Sequence, residues 1–481
     1  MPLPKLAVAY LPLILVGATA ITLMLGIAWR RQHHVTVAVS VMGLGLALAA
    51  QIMAWRVVPL TTPLLAFDGP AMLGGILVLA STLACAVLAH AYFETFQNAR
   101  EEFYLLLLCS AAGGLVLVAS RHLASLFLGL ELLSMPLYGM LAYAFHERRS
   151  LEAGIKYLIL SAAASAFLLF GMALLYAQTG ELELSALMAS MVRGSGAWGL
   201  AGAGLMLAGL GFKLSVVPFH LWTPDVYEGG PGPAATFLAT ASKVAVFILM
   251  LRLVLSAPAF QGEWLHAVLW VLALASMLVG NLLALTQSNL KRLLGYSSIA
   301  HFGYMLLVLV VADGLAAETG GVYLITYVPA TLAAFGVVIL VSSATEGRDA
   351  GALHYYRGLF WRRPYLTAVM TIAMLSLAGI PATAGFIGKF YLIALGVEAH
   401  QWWLVVGIIA GSAISLYYYL RVIVTLFLAE PGMYRRDASP DWAARAAGLV
   451  VLGAAVLVIM LGLYPAPMIA LAHAAGGVIA P

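Results

Sequence analysis

Five ionisable side chains, Glu131, Lys156, Lys213, Lys243 and Lys389, stand inside stretches otherwise apolar enough to cross a bilayer. A charge near the middle of a membrane costs about 2.5–3.5 kcal/mol on insertion scales and marks a functional position by default. Four of the five are lysines, and an ammonium group gives up its proton readily when desolvated. A carboxylate followed by several such lysines is the chemistry of a proton path. His220 and His301 add two imidazoles, each able to pass a proton between its ring nitrogens near neutral pH.

Each residue also has a plainer reading. Glu131 and Lys213 are expected near the middle of their helices, in GLELLS and GFKLS. Opposite charges at depth usually pair, and a carboxylate that moves off a lysine favours release of the lysine's proton; the alternative is a static ion pair that sets helix packing. Lys156 lies near the start of its span with Glu152 one turn before it, the favourable i, i+4 spacing. Its stem can reach the membrane interface, so a proton role and a surface role stand equal. Lys243 follows Ala239-Thr240-Ala241-Ser242 with no carboxylate nearby in sequence, which favours a relay. His220 lies just past Pro218 and His301 is central in its span; the alternative for each is a hydrogen bond to a neighbouring helix, and one histidine per helix argues against haem ligation. Lys389 closes the stretch GIPATAGFIGK, whose freed backbone groups want water. That suits a hydrated half-channel, against a lysine that reaches outward from a helix end.

The elements that must hold these groups follow from composition. The 481 residues are 63% hydrophobic and 9% charged, with mean hydropathy +1.01. Soluble domains carry about 25% charged residues, so this is an all-α polytopic membrane protein with no polar stretch long enough for a separate soluble domain. The net charge of +4 is small and dispersed, which gives no support to nucleic-acid binding. Cys85 and Cys109 both lie in apolar spans, excluding a disulfide framework or thiolate metal site. No P-loop, dinucleotide fingerprint or CxxC pair occurs, which puts any redox or nucleotide chemistry on other chains. The apolar run after Lys5 imitates a signal peptide at Ala18-Thr19-Ala20 but continues to Trp29, and reads as an uncleaved first helix.

Apolar segments of spanning length predict fourteen transmembrane helices, approximately 6–28, 35–54, 69–92, 103–120, 122–144, 152–177, 197–222, 233–254, 264–286, 290–311, 319–343, 366–394, 401–428 and 445–472. Basic residues crowd the odd-numbered loops (Arg30, Arg31, Arg100, Arg148, Arg149, Lys291, Arg292, Arg348, Arg357, Arg362, Arg363, Arg435, Arg436, Arg445) and are sparse at the even ones (Arg56, Arg121, Arg193, Arg252). The positive-inside rule then places odd loops in the cytoplasm and both termini on the periplasmic side. Pro218 predicts a break in the seventh helix and Gly379 to Gly388, with Pro381, one in the twelfth; paired breaks of this kind mark transporters built from repeats. Arg121 precedes Glu131, and Lys291 precedes His301, by the same interval, with 170 residues separating Glu131 from His301. Applied to Lys213, that offset lands close to Lys389. Two inverted five-helix repeats are expected, helices 4–8 and 9–13, in a single membrane domain divided at 1–100, 101–258, 259–430 and 431–481.

These motifs, in this order, resemble the antiporter-like subunits of respiratory complex I, most closely their N-type branch. The strongest stretch is GFKLSVVPFHLWTPDVYEGGPGPAATFLATASKVAVF from Gly211 to Phe247. GLELLSMPLYGMLAYAF (129–145), KYLILSAAASAFLLFGMALLY (156–176), NLKRLLGYSSIAHFGYMLL (289–307) and LAGIPATAGFIGKFYL (377–392) extend it over essentially the whole chain. The resemblance implies fourteen helices with half-channels in two inverted repeats, and proton-carrying roles for Glu131, Lys213, His220, Lys243 and Lys389. It also matches the N-type helix-six lysine to Lys156, where the residues alone are undecided. Lys389 stands where M-type subunits have Glu. Gly232, between two prolines, replaces a residue that is often larger and is expected to loosen its loop. The long lateral extension of L-type subunits is not expected here, since the last predicted helix lies close to residue 481.

The expected function is therefore proton translocation in a proton-pumping NADH:quinone oxidoreductase of a bacterial inner membrane. The resemblance places NADH, FMN, iron–sulfur clusters and quinone on partner chains, with no cofactor or metal on this one. It places an M-like subunit, small K- and J-type subunits and the lateral helix of an L-type subunit alongside. A subunit of a multi-subunit Na+/H+ antiporter shares the fold and several charges. A scaffold whose buried charges only hold helices together is the rival of another class.

Overall fold

The computed structural model describes residues 3–94, 100–193, 196–256, 263–342, 349–429 and 446–477. Arg348, Arg435, Arg436 and Arg445 of the loop comparison, and the proposed divisions at 258/259 and 430/431, lie outside the described residues. The chain runs α1 (Leu3–Trp29), α2 (His33–Ala54), a short hairpin of β1 (Leu60–Thr61) and β2 (Ala66–Phe67), α3 (Gly69–Phe93), α4 (Glu102–Val118), α5 (Leu123–Leu141) and α6 (Arg148–Thr179). It continues with α7 (Leu184–Arg193), α8 (Ala197–Leu214), α9 (Trp222–Gly229), α10 (Gly232–Phe237), α11 (Lys243–Leu255), α12 (Glu263–Leu285), α13 (Leu290–Val311) and α14 (Gly314–Ser342). After α15 (Leu359–Arg362) come α16 (Pro364–Ala378), α17 (Ala384–Glu398), α18 (Trp402–Phe427) and two final helices, Ala446–Leu463 and Ala466–Gly476.

Among the described residues twelve helices are long and apolar enough to cross a membrane. The shorter α4 and the pair α16–α17 bring the crossings to fourteen, as the hydropathy pattern predicts. Both predicted breaks are present. The seventh crossing stops at Leu214, where Ser215 takes a left-handed φ of 64°, and resumes at Trp222. The twelfth stops at Gly379, φ 85°, and resumes at Ala384. Gly385 is required there because a Cβ would lie 1.8 Å from the Ser376 carbonyl oxygen. The eighth crossing joins α10 to α11 through a π-helical turn over Leu238–Ser242, immediately before Lys243. Such turns concentrate at functional positions.

Three details depart from the sequence reading. The predicted span 445–472 is two helices, because Pro465 starts a new one. The short α7 between the sixth and seventh crossings was not anticipated. Gly232 does not loosen its loop: it is buried, and a Cβ there would meet Ile339 of α14 at 2.7 Å.

The packing of the two halves is alike. α4 packs along α5 and α12 along α13; α6 contacts both pieces of the broken seventh crossing, as α14 contacts both pieces of the twelfth. Within the bilayer such packing rests on close van der Waals fit, since lipid tails are as apolar as the side chains. The centre of the molecule is the eighth crossing with α13 and α14. The most apolar stretch of α14 is wholly buried, whereas α1 and Ala446–Leu463 are mostly exposed.

Candidate functional site

Lys213 is the last residue but one of α8, and its buried Nζ donates to Ser134 Oγ of α5 at 2.6 Å and Ser161 Oγ of α6 at 2.7 Å. Glu131 is half-buried on α5 and accepts a hydrogen bond from Ser165, one turn beyond Ser161 on α6. The direct Glu131–Lys213 ion pair expected from sequence is not formed. Hydroxyls stand between the two charges, because serines spaced i, i+4 put both on the one face of α6 that meets α5 and α8. Tyr138 adds a hydroxyl 2.9 Å from Ser161 Oγ.

Past the break, Lys243 is fully buried, and its Nζ donates to the Leu214 carbonyl at 3.2 Å. It lies 4.9 Å from the Phe302 ring centroid and 6.0 Å from that of Tyr227. The last carbonyls of a helix lack intrahelical partners and carry its negative partial charge, so a broken helix offers a cation a neutral resting place at depth. His220 sits in the turn itself, 6% exposed, near the Pro218 backbone and with no side-chain partner for either ring nitrogen among the described residues. Buried imidazole nitrogens in that state call for water.

In the second half His301 of α13 is held from both sides, Nδ1 2.6 Å from Tyr323 Oη and Nε2 3.2 Å from Tyr419 Oη. Tyr419 also bonds Ser297, and Tyr418 donates to Asn281, whose amide reaches Tyr304. Lys389 of α17 turns back across its break: Nζ donates to the Ala378 carbonyl at 2.8 Å and lies 5.5 Å from the Tyr304 ring centroid. It therefore does not reach outward to the interface. The 170-residue offset from Lys213 falls on Thr383, so the two lysines stand on opposite sides of their breaks. Each is nonetheless placed by a break.

Lys156 is set apart from this interior. It keeps 41% of its side chain exposed, bonding Glu152 at 2.6 Å, the i, i+4 partner, and Asp225 of α9 at 2.9 Å. Arg292 bridges Asp225 and Glu228, at 2.6 and 3.0 Å. These groups line a polar cavity of about 180 Å³ on the odd-loop side, and a second of about 330 Å³ shares Arg149, Glu228 and Gly229 with it.

Sequence reasoning missed several residues. Lys291, read as a loop cation, is fully buried and bonds the Gly230 carbonyl at 2.5 Å and Asp349. Arg252, read as a helix-end charge, makes a two-pronged bond to buried Asp68, 2.7 Å at each contact, and also reaches the Val118 carbonyl at 3.1 Å. Ser134, Ser161 and Ser165 carried no signal beyond their place in the matched motifs. Tyr323 and Tyr419 become identifiable only through the folded contacts. Among the described residues no group of His, Cys, Asp and Glu is arranged to hold a metal ion.

Broken helices with buried lysines at their ends define an antiporter-like membrane subunit. A family model for NADH:quinone oxidoreductase/Mrp antiporter transmembrane proteins matches residues 120–415. The fold is shared with a chain of the Mrp complex from Dietzia (TM-score 0.83, 21% identity, 99% of this chain and 97% of that one). It is shared equally with an archaeal membrane-bound sulfane sulfur reductase (TM-score 0.87, 22% identity, 98% and 97%). At higher identity stands a chain of respiratory complex I from Thermus thermophilus, 37% identical with TM-score 0.81 over 96% of this chain and 99% of that one. Two relatives are both NADH-quinone oxidoreductase subunit N. That of Chromohalobacter salexigens is 69% identical over 95% of this chain and 96% of its own length; that of Ectopseudomonas mendocina is 59% identical over 97% and 96%. The chain belongs to the NADH-quinone oxidoreductase subunit N family.

Proposed function

We infer that this chain is a proton-translocating membrane subunit of a proton-pumping NADH:quinone oxidoreductase, driven by quinone reduction on partner chains. The observation that carries the reading is the state of three buried lysines. Lys213, Lys243 and Lys389 rest on neutral hydroxyl and carbonyl oxygens, with no ion pair to any of them among the described residues. A lysine kept only to join helices is expected in a matched pair. One resting on neutral oxygens can lose and regain its proton without dismantling a pair.

The path we read runs from Glu131 and Lys213 through Lys243 and His301 to Lys389. Lys243 bonds the carbonyl of the residue after Lys213, and the ring beneath it, Phe302, adjoins His301. Tyr304, under Lys389, lies on the same helix as His301. His220, with no side-chain partner among the described residues, is placed to hold water at the first break, and Lys156 stands at the mouth of the polar cavity. Moving one charge against 100 mV requires about 2.3 kcal/mol, comparable to one hydrogen bond to a charged group. Rearranging one contact of Lys213 is of the right size.

In this reading α4–α11 and α12–α18 are the two inverted repeats. Odd loops face the cytoplasm of a bacterial inner membrane. An M-like subunit, K- and J-type subunits and an L-type lateral helix lie alongside, and NADH, FMN, iron–sulfur clusters and quinone belong to partner chains. The identities of 69% and 59% to oxidoreductase subunits, against 21% to the Mrp chain, favour this reading over an Na+/H+ antiporter. The test is proton pumping by reconstituted complex carrying Lys243→Ala, with assembly measured alongside. Normal assembly with lost pumping is expected; full pumping would sink the reading, and loss in proportion to failed assembly would favour the scaffold.

A further inference from the structure

Ser161 and Ser165 lie one turn apart on α6, and each holds one member of the charge pair that the proposed function sets in motion. Ser134 donates its hydroxyl to the Leu130 carbonyl at 2.7 Å, so its oxygen is left to accept from the Lys213 ammonium. Ser161 is the ammonium's other acceptor and also meets Tyr138. Ser165 holds Glu131. Ser134 is 1% exposed, Ser161 fully buried and Ser165 7% exposed, so water does not substitute freely for the serines that hold the lysine. Four residues of helix correspond to a rise of about 6 Å between the two serines, and with each charge held by its own serine Glu131 and Lys213 form no salt bridge.

We propose that Ser161 and Ser165 are positioning residues forming a latch that holds Lys213 and Glu131 apart, giving the pair a second stable arrangement. The inference rests on the proton-translocation reading above. An ammonium offers three donors. Two are used by hydroxyls here, so the lysine is satisfied while away from its carboxylate. A contact between opposite charges in a dry interior would otherwise close and stay closed. A switch needs an element with two discrete arrangements that a remote event can bias, and the serines supply the open one. The hydroxyls are neutral, so leaving them strands no charge.

Ser161→Ala, Ser165→Ala and Ser161→Thr in the complete reconstituted complex test this, read as protons moved per quinone reduced, its pH profile and the amount of assembled complex. Losing one hydrogen bond to a charged group shifts the balance toward the closed pair roughly ten- to hundredfold. Both alanine variants are expected to assemble, pump fewer protons per quinone and show a displaced pH profile, while Ser161→Thr restores both. In a Glu131→Gln background, Ser161→Ala is expected to add nothing. Wild-type yield and pH profile in both alanine variants overturn the latch, as does an equal effect of Ser161→Ala with and without Glu131. If Ser161→Ala fails to assemble, Ser165→Ala leaves the lysine's own contacts intact and carries the test. Normal pumping by Glu131→Gln and Lys213→Ala would instead overturn the underlying reading.

Discussion

Gly379→Ala probes whether Lys389 must sit on the end of α16 to move protons. Gly379 has φ 85°, and a Cβ there would lie 2.7 Å from Lys389 Cδ, 3.2 Å from Cε and 3.3 Å from Nζ. Left-handed backbone costs an L-residue roughly 1–2 kcal/mol. The clash is with the flexible part of a side chain, so the lysine yields before the fold does. Leaving the Ala378 carbonyl forfeits a hydrogen bond to a charged group, about 1.5–3 kcal/mol. The sum, about 2.5–5 kcal/mol, falls mostly on the position of one ammonium group. The assay is protons moved per quinone reduced in proteoliposomes, normalised to assembled complex. Gly204→Ala on α8 is the control, since a Cβ there meets nothing within 4 Å and alanine is the better helix former. We expect Gly379→Ala to lower the proton yield in assembled complex and Gly204→Ala to leave it unchanged. Undiminished yield from Gly379→Ala would refute the claim that this carbonyl anchors a working lysine.

Other expectations follow from the same contacts. Asp68→Asn strands buried Arg252 and is expected to cost about 3–5 kcal/mol, seen as lower thermal resistance of the purified complex; unchanged resistance would show the pair to be dispensable. Gly385→Ala, whose Cβ would overlap the Ser376 carbonyl oxygen, should separate α16 from α17 and reduce assembly itself, unlike Gly379→Ala. Glu183 lies between α6 and α7, where hydrogen bonds from Arg121 and then Ser185 hold its carboxyl below the usual carboxylate range. A depressed value contributes stability above the unfolded carboxylate pKa, lost as pH falls through the folded one. With 38% of the side chain exposed the effect is below about 1 kcal/mol. Glu183→Gln should therefore lower the neutral value by less than about 1 kcal/mol and leave the acid end where it is, flattening the acid limb between them; an unchanged profile would remove Glu183 from that account.

The crossings and both breaks were legible because hydropathy reports burial in lipid and proline reports a missing donor, each along the chain. What escaped depends on distances between chain segments. Glu131 and Lys213 read from sequence as opposite charges, but nothing in the spacing shows that each is held by a serine of α6, Ser165 and Ser161. Asp225 stood in plain view within its motif, yet its bonds to Lys156 and Arg292 span more than sixty residues. Lys291 and Arg252 were misread for one reason: near a predicted helix end, a buried charge and a solvated one look the same. Lys389 was legible as a break residue, but its direction was not, because either side of a break can supply the group.

The buried α14 bears on how the protein is made. Its most apolar stretch is entirely enclosed by other helices, so in the finished molecule no lipid reads its hydrophobicity. That hydrophobicity is needed earlier, when the segment must leave the insertion machinery on its own account. Two selections thus act on the same residues at different times, one for partitioning into lipid and one for fitting among helices. Tyr323 and Tyr327 already meet the second, their hydroxyls bonded to His301 and Ser298 of α13. A further polar residue on α14, given a partner in the folded core, would be tolerated by the mature protein and rejected during synthesis. For this helix, the limit on added proton-carrying groups is set by biogenesis and not by stability.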